Sequence, residues 1–252
     1  MGSRTESLFH YTASLDNLKA ILSSRFFWPK YCAEELSWFS ESKESQEKVL
    51  RIAHPMVCFC DIPIGRANEH TRRYGSFGIG MKRKWVESKN INPVTYIAKR
   101  DSKITSALNH VVSAATKNFQ EPELDYLRFF IAHIKPIRGM VSVHQSKQKT
   151  TVDFYKEAEW RHVARADGIE PYLSANICDD ASKLKSHNNK AKNLAPLNFE
   201  ISDISYLLVD TEEDVVEMVE FIQSKLRNVV DTKERSLLLT KIHVLDGIKK
   251  DV

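Results

Sequence analysis

The sequence predicts an α+β fold with a mixed, largely antiparallel sheet and flanking helices. Strand-like apolar runs at residues 8–11, 56–60 and 159–164 are each bounded by polar or turn-forming residues. Helix-like segments fall between them, as at residues 15–22, where Leu15, Leu18, Ile21 and Leu22 repeat at helical spacing. Strands and helices also lack the even alternation of a doubly wound sheet.

The remaining elements follow in order. Thr12 or Ser14 caps the first helix, and residues 26–29 leave it as a bulky extended exit. Residues 37–51 are rich in Ser, Lys and Glu, a surface helix or mobile segment. Pro55 introduces the buried run 56–60. Residues 64–73 form a short polar helix carrying Glu69 and His70. Gly75, Gly78 and Gly80 punctuate the next strand, and another spans 94–98. Residues 101–119 and 124–134 read as helices, 140–144 as a strand, 145–150 as a polar loop. The segment 178–193 reads as an exposed excursion from a single domain of residues 1–252. A strand at 204–209, an acidic helix at 212–225 and a strand at 237–244 close the chain.

The 252 residues, 42% hydrophobic and 10% aromatic, suffice for a packed core. A net charge of +4 permits contact with phosphates or nucleic acid, although a dedicated nucleic-acid binder shows a stronger and more local excess. Cys58 and Cys60 point to one strand face. With no second cysteine pair, they read as buried thiols and not as a metal site. That usage, with a polar start at residues 1–7, predicts a cytoplasmic protein. No run of about 20 apolar residues exists, so no membrane span is expected.

Candidate site residues lie in three signatures: Leu8-Phe9-His10-Tyr11-Thr12, then Phe59-Cys60-Asp61-Ile62-Pro63 with Tyr74-Gly75-Ser76-Phe77-Gly78-Ile79-Gly80, then Glu157-Ala158-Glu159-Trp160-Arg161. His10 is either a hydrogen-bonded core histidine or a donor to a ribose hydroxyl or phosphate. Thr12 is a helix cap or a second hydroxyl contact. Tyr74 and Phe77 can stack on a flat base or pack internally. Gly75, Gly78 and Gly80 either let a ligand come close to the backbone or mark a β-bulge. Arg66, Arg72 and Arg73 can neutralise phosphate or remain solvated. Glu159 can stabilise an oxocarbenium-like transition state or act as general base. The alternative is an ion pair with Arg161 or Lys156. Phosphate-loop, dinucleotide and nucleophile-elbow motifs are absent, which argues against ordinary kinases, dehydrogenases and esterases.

These signatures, with Leu18 to Leu22, His70, Trp85, Asn92-Pro93-Val94 and Glu159-Trp160-Arg161, resemble the AbiGi family of abortive phage-infection proteins, described as antitoxins. The match is concentrated in the first hundred residues, with one block near 160. A more distant similarity is to ADP-ribosyltransferases of the His–Tyr–Glu type. That resemblance implies NAD as substrate, with His10 anchoring it, Tyr74 stacking on nicotinamide and Glu159 on the ribose. Thr12, Gly75, Phe77 and Arg73 would complete the pocket. The acceptor would be a phage or host macromolecule. The family resemblance implies instead a cognate toxin as partner; the acidic helix at 212–225 is either its contact surface or a solvated face.

Overall fold

The computed structural model describes residues 6–36, 38, 51–98, 102–121, 123–142, 149–228 and 230–250. The reading of residues 37–51 falls outside these except for Trp38 and Arg51; Val143 and His144 of the expected strand and residues 145–148 of the expected loop also lie outside, and Lys149 and Thr150 of that loop are strand. The chain divides into two units: residues 1–27, 58–91 and 197–252 form one, and residues 28–57 and 92–196 form the other.

In the first unit, β1 (Ser7–Thr12) pairs antiparallel along its length with β5 (Phe77–Lys82), from Ser7 opposite Lys82 to Thr12 opposite Phe77. On its other edge Phe9 faces Cys60, the last residue of β4 (Arg51–Cys60). Beyond β5 lies antiparallel β14 (Ile204–Val209), then parallel β15 (Ile242–Val244). β2 (Phe26–Phe27) and β13 (Leu197–Asn198) form a short ribbon. Helix α1 (Leu15–Ser24) starts where the Ser14 hydroxyl accepts the Asn17 N–H, and it buries Leu15, Leu18, Ile21 and Leu22 as their spacing requires. The expected short helix near 64–73 is a 3-10 turn followed by α2 (Asn68–Tyr74), and α3 (Arg83–Ser88) follows β5. Helix α8 (Glu212–Ser224) opens with a reciprocal cap between Thr211 and Asp214 and buries Met218 and Ile222.

One expected strand, at residues 237–244, is corrected. Most of that run belongs to helix α9 (Thr232–Leu239), and β15 takes only Ile242–Val244. The cause is local. Asp231 accepts the Glu234 N–H as an N-cap, and consecutive leucines are good helix formers. A short apolar run alone does not separate the two states. Helix α10 (Leu245–Lys250) follows.

In the second unit the earlier residues of β4 pair with β3 (Lys30–Glu35) and β12 (Leu173–Ser174), both antiparallel. β11 (Glu159–Val163) also neighbours β4, with the Ala164 N–H donating to the Pro55 carbonyl, and it carries β6 (Asn92–Pro93) on its far edge. β7 (Thr95–Ile97) and β8 (Ile134–Pro136) run parallel, while β9 (Arg138–Ser142) and β10 (Lys149–Asp153) form an antiparallel pair. The fold is therefore α+β with mostly antiparallel pairing. Helices α4 (Lys103–Asn118) and α5 (Glu123–Ile131) bury Leu108 and Ile131 against Leu36, Ile97 and Ile134. After α6 (Ala175–Cys178), residues 181–194 form helix α7 (Ala181–Leu194). Its Leu184 and Ala191 join Tyr31, Ala53 and Leu173 in a second cluster.

Candidate functional site

β1 directs successive side chains to opposite faces, and ring contacts show which partners each face meets. His10 meets Phe27 and Phe59, with ring centroids 5.1 and 5.7 Å apart. Phe27 and Phe59 continue to Trp85, and Phe27 to Phe199. His10 Nδ1 lies 2.9 Å from the Cys58 carbonyl oxygen. The other face carries Phe9 and Tyr11. Tyr11 meets His70 at 5.1 Å, His70 meets Tyr74 at 4.4 Å, and Phe9 meets Tyr206. Burial holds the Tyr11 phenol well above its ordinary pKa, with the Cys60 thiol a smaller cause. His10 and the Tyr74 stack thus occupy opposite faces of one strand and are not brought together. Thr12 and Phe77 are paired across β1 and β5 and share the His10 side by register.

The glycines serve these contacts. A Cβ on Gly80 would lie 2.7 Å from the Phe9 ring, and one on Gly78 3.2 Å from Tyr11. Gly75 has φ of +105°, and a Cβ there would meet the Thr12 carbonyl oxygen at 2.2 Å. The close approach to this loop is therefore made by the chain's own backbone and rings. Gly75 ends α2 and leaves Tyr74 43% exposed, with exposed Arg73 beside it. Thr12, Arg73, Tyr74, Gly75 and Phe77 gather at this end of β1. The Phe59–Pro63 signature is structural in the same region: Phe59 sits among aromatic rings, and Asp61 accepts from Arg83 Nη2 at 2.8 Å. No disulfide joins the four cysteines, and Cys60 and Cys178 are buried.

Glu159 lies in the second unit, at the start of β11. Its side chain sits in a buried ion network with Arg161, Lys135, Glu157 and Glu34. Arg161, 1% exposed, donates from Nε to Glu159 Oε1 at 2.8 Å and from Nη2 to Oε2 at 3.1 Å. Its two Nη atoms also hold Glu34, and Nη1 reaches the Ala132 carbonyl. Lys135 Nζ lies 2.9 Å from both Glu157 Oε2 and Glu159 Oε2 and 4.3 Å from the Phe154 ring centroid. Burial opposes ionisation of Glu159, yet Arg161 and Lys135 overcome it and hold the carboxyl far below the usual range. Burial likewise disfavours the Lys135 ammonium, and Glu159 and Glu157 reverse that and raise its pKa. The Glu159 N–H donates to the Tyr96 hydroxyl at 2.9 Å, and burial pushes that phenol up to about 12. Of the two ion-pair partners expected for Glu159, Arg161 is present. Lys156 pairs with Asp153.

Sequence reading missed Lys135, Glu34 and Tyr96. The one signal for Lys135 is a lone lysine inside Ile134-Lys135-Pro136, a strand where an ammonium needs a buried partner. Three carboxylates and two cations make a network that fixes β3, β8 and β11 locally, and both Glu159 oxygens are engaged within it. Among the described residues no three His, Cys, Asp or Glu side chains gather as a metal would need, and no helix is long and apolar enough to cross a membrane.

Comparison with known proteins finds the family that the signatures suggested, but the family match begins after the Leu8–Thr12 and Leu18–Leu22 segments and runs well beyond the first hundred residues. Residues 25–210 match the model of a family described as "Putative abortive phage resistance protein AbiGi, antitoxin". The chain is 27% identical over 247 residues to the abortive phage resistance protein AbiGi of Lactococcus lactis subsp. cremoris, covering 89% of this chain and 99% of that one. No solved structure gives a significant match.

Proposed function

Because the chain belongs to the AbiGi family of abortive phage resistance proteins, we propose that it serves phage defence as an antitoxin, a non-catalytic module that binds and restrains a cognate toxin protein. The carrying observation is the state of Glu159. The carboxylate best suited by sequence to ribosyl chemistry is 8% exposed and saturated by Arg161 and Lys135. Releasing it to hold a ribose hydroxyl would break its bonds to both buried cations and leave Arg161 with Glu34 and Lys135 with Glu157 alone, at a cost of up to several kcal/mol. The acidic face of α8 supplies a binding surface. Glu212, Glu213, Glu217 and Glu220 are exposed around Val216, itself 61% exposed. Glu217 also meets Lys19. A strip of carboxylates around an apolar centre suits a basic protein surface.

A second reading keeps ADP-ribosyl transfer from NAD, but without the expected grouping of His10, Tyr74 and Glu159, since His10 and Tyr74 meet different partners on opposite faces of β1. It is favoured by the Tyr74 ring, exposed on one side and stacked on His70, which offers a platform for a flat base. Calorimetric titration of the intact chain with NAD separates the readings. The antitoxin reading expects no binding heat and no NAD consumption. It also expects that Glu213→Lys with Glu220→Lys abolishes neutralisation of the toxin in co-expressing cells while leaving the melting temperature unchanged. NAD turnover by the chain, or full neutralisation by the charge-reversed variant, would sink it.

A further inference from the structure

Helix α7 carries Lys183, Lys185, Lys190 and Lys192 and no carboxylate. The whole sequence has a formal excess of +4, so one helix holds as much net charge as the entire chain. Its inner side is fixed by packing. Leu184 and Ala191 lie in the cluster with Tyr31 and Leu173, and Asn188 Oδ1 accepts the Tyr31 N–H at 2.8 Å. At about 100° per residue, the outer side is then centred on Ser186, Asn189 and Asn193, all exposed. Lys185 and Lys192 line one border of that face. Lys183 and Lys190 line the other. Within each pair the lysines stand two turns apart, about 10 Å along the axis.

We propose that the outer face of α7 binds duplex DNA, the helix lying in the major groove with its lysine borders on the two phosphate strands. A major groove about 12 Å wide accepts a helix about 10–12 Å across. Lysines on both borders can neutralise phosphates on both sides. The strip between them bears asparagine amides, which offer a donor and an acceptor to base edges. The deep, narrow groove of duplex RNA does not admit a helix. A helix that lies on a membrane turns apolar residues to the lipid, whereas Leu184 and Ala191 of α7 pack with Tyr31 and, of its apolar residues, only Ala181 and Leu194 at the two ends are exposed. Two of the lysines have local contacts to exchange: Lys183 lies 3.3 Å from Asp180, and Lys192 lies 4.5 Å from the Trp28 ring centroid. At the surface such contacts are worth about 1 kcal/mol or less.

The inference is independent of toxin binding. It is tested by fluorescence anisotropy of a labelled mixed-sequence DNA duplex titrated with the intact chain between about 50 and 200 mM salt. Micromolar binding at low salt is expected, with log affinity falling against log salt at a slope of about −3, as for three to four phosphates. The variant K185Q/K190Q/K192Q should bind at least about tenfold more weakly and lose about two to three units of slope. The matching lysine-to-arginine variant should retain both. If the triple glutamine variant melts early, Lys190→Gln alone should still flatten the slope by about one. Absence of binding by the unaltered chain at low salt overturns the proposal. So does unchanged binding by the glutamine variants, or tighter lysine-dependent binding to duplex RNA or phosphatidylserine vesicles than to DNA.

Discussion

Gly75 and Gly247 are the same residue type under opposite constraints. Gly75 combines φ of +105° with a carbonyl oxygen 2.2 Å from where a Cβ would stand, whereas a Cβ on Gly247 meets nothing within 4 Å. Gly75→Ala should destabilise the protein by more than about 2 kcal/mol, because strained backbone and a clash with rigid backbone add. Gly247→Ala, in helix α10, should be neutral or stabilising by up to about 1 kcal/mol. Urea midpoints of the two variants check this, and equal midpoints would refute it. Glu159 poses the same contrast for charge. Glu159→Ala leaves Arg161 and Lys135 buried without their shared partner and should cost about 3–5 kcal/mol. Lys156→Ala removes a pair whose lysine is 54% exposed and should change stability by less than about 1 kcal/mol. A Glu159→Ala midpoint within error of the unaltered chain would show that the network relaxes at no cost.

At the scale of elements, periodicity made most of the fold legible. The acidic helix expected at 212–225 is α8, and the strand at 204–209 is β14. Leu15, Leu18, Ile21 and Leu22 declare α1 because burial demands that spacing. What stayed hidden depends on contacts distant in sequence. The adjacency of His10 and Tyr11 was visible, but no local signal revealed that Phe27, Phe59 and Trp85 would meet the first while His70 and Tyr74 met the second. The three glycines were visible too, yet whether a ligand or the chain's own rings fills their space is settled only by the β1–β5 register. Local signals were most reliable where a cap reinforced them. Thr211 accepts the Asp214 N–H while Asp214 holds the Thr211 N–H at 2.9 Å. Thr211→Ala should therefore cost about 1 kcal/mol, read as a lower urea midpoint with an unchanged denaturant slope. A changed slope would mean that the variant alters more than the end of one helix.

For the whole molecule, acid should reduce stability well before the carboxylates titrate. His54 is 1% exposed, and its Nδ1 lies 3.3 Å from the Pro171 carbonyl. Nε2 of His54 has no hydrogen-bond partner among the described residues. Burial pushes its pKa down to about 4, and the charges of Arg165 and Arg161 act in the same direction against the opposing Pro171 hydrogen bond. His133 is lowered as well, again chiefly by burial. An unfolded histidine takes up a proton near pH 6.5, whereas the folded His54 refuses it until about pH 4. Below about pH 6.5 the unfolded chain therefore binds more protons, and stability falls as pH falls. The slope approaches about 1.4 kcal/mol per pH unit for each such histidine, so His54 alone accounts for a loss on the order of 3 kcal/mol by pH 4. Glu159 extends the loss at lower pH. Its carboxyl is held below the usual range, so its contribution is present above the ordinary carboxylate value and disappears as pH falls through the folded one. Urea midpoints should stay level from pH 8 to about 7, then decline between about 6.5 and 4. His54→Gln should flatten that decline. Because the groups are buried, salt should alter the curve little. A midpoint that stays level down to pH 5 in the unaltered chain would show that His54 takes its proton inside the fold, beside the buried Arg161 and half-buried Arg165.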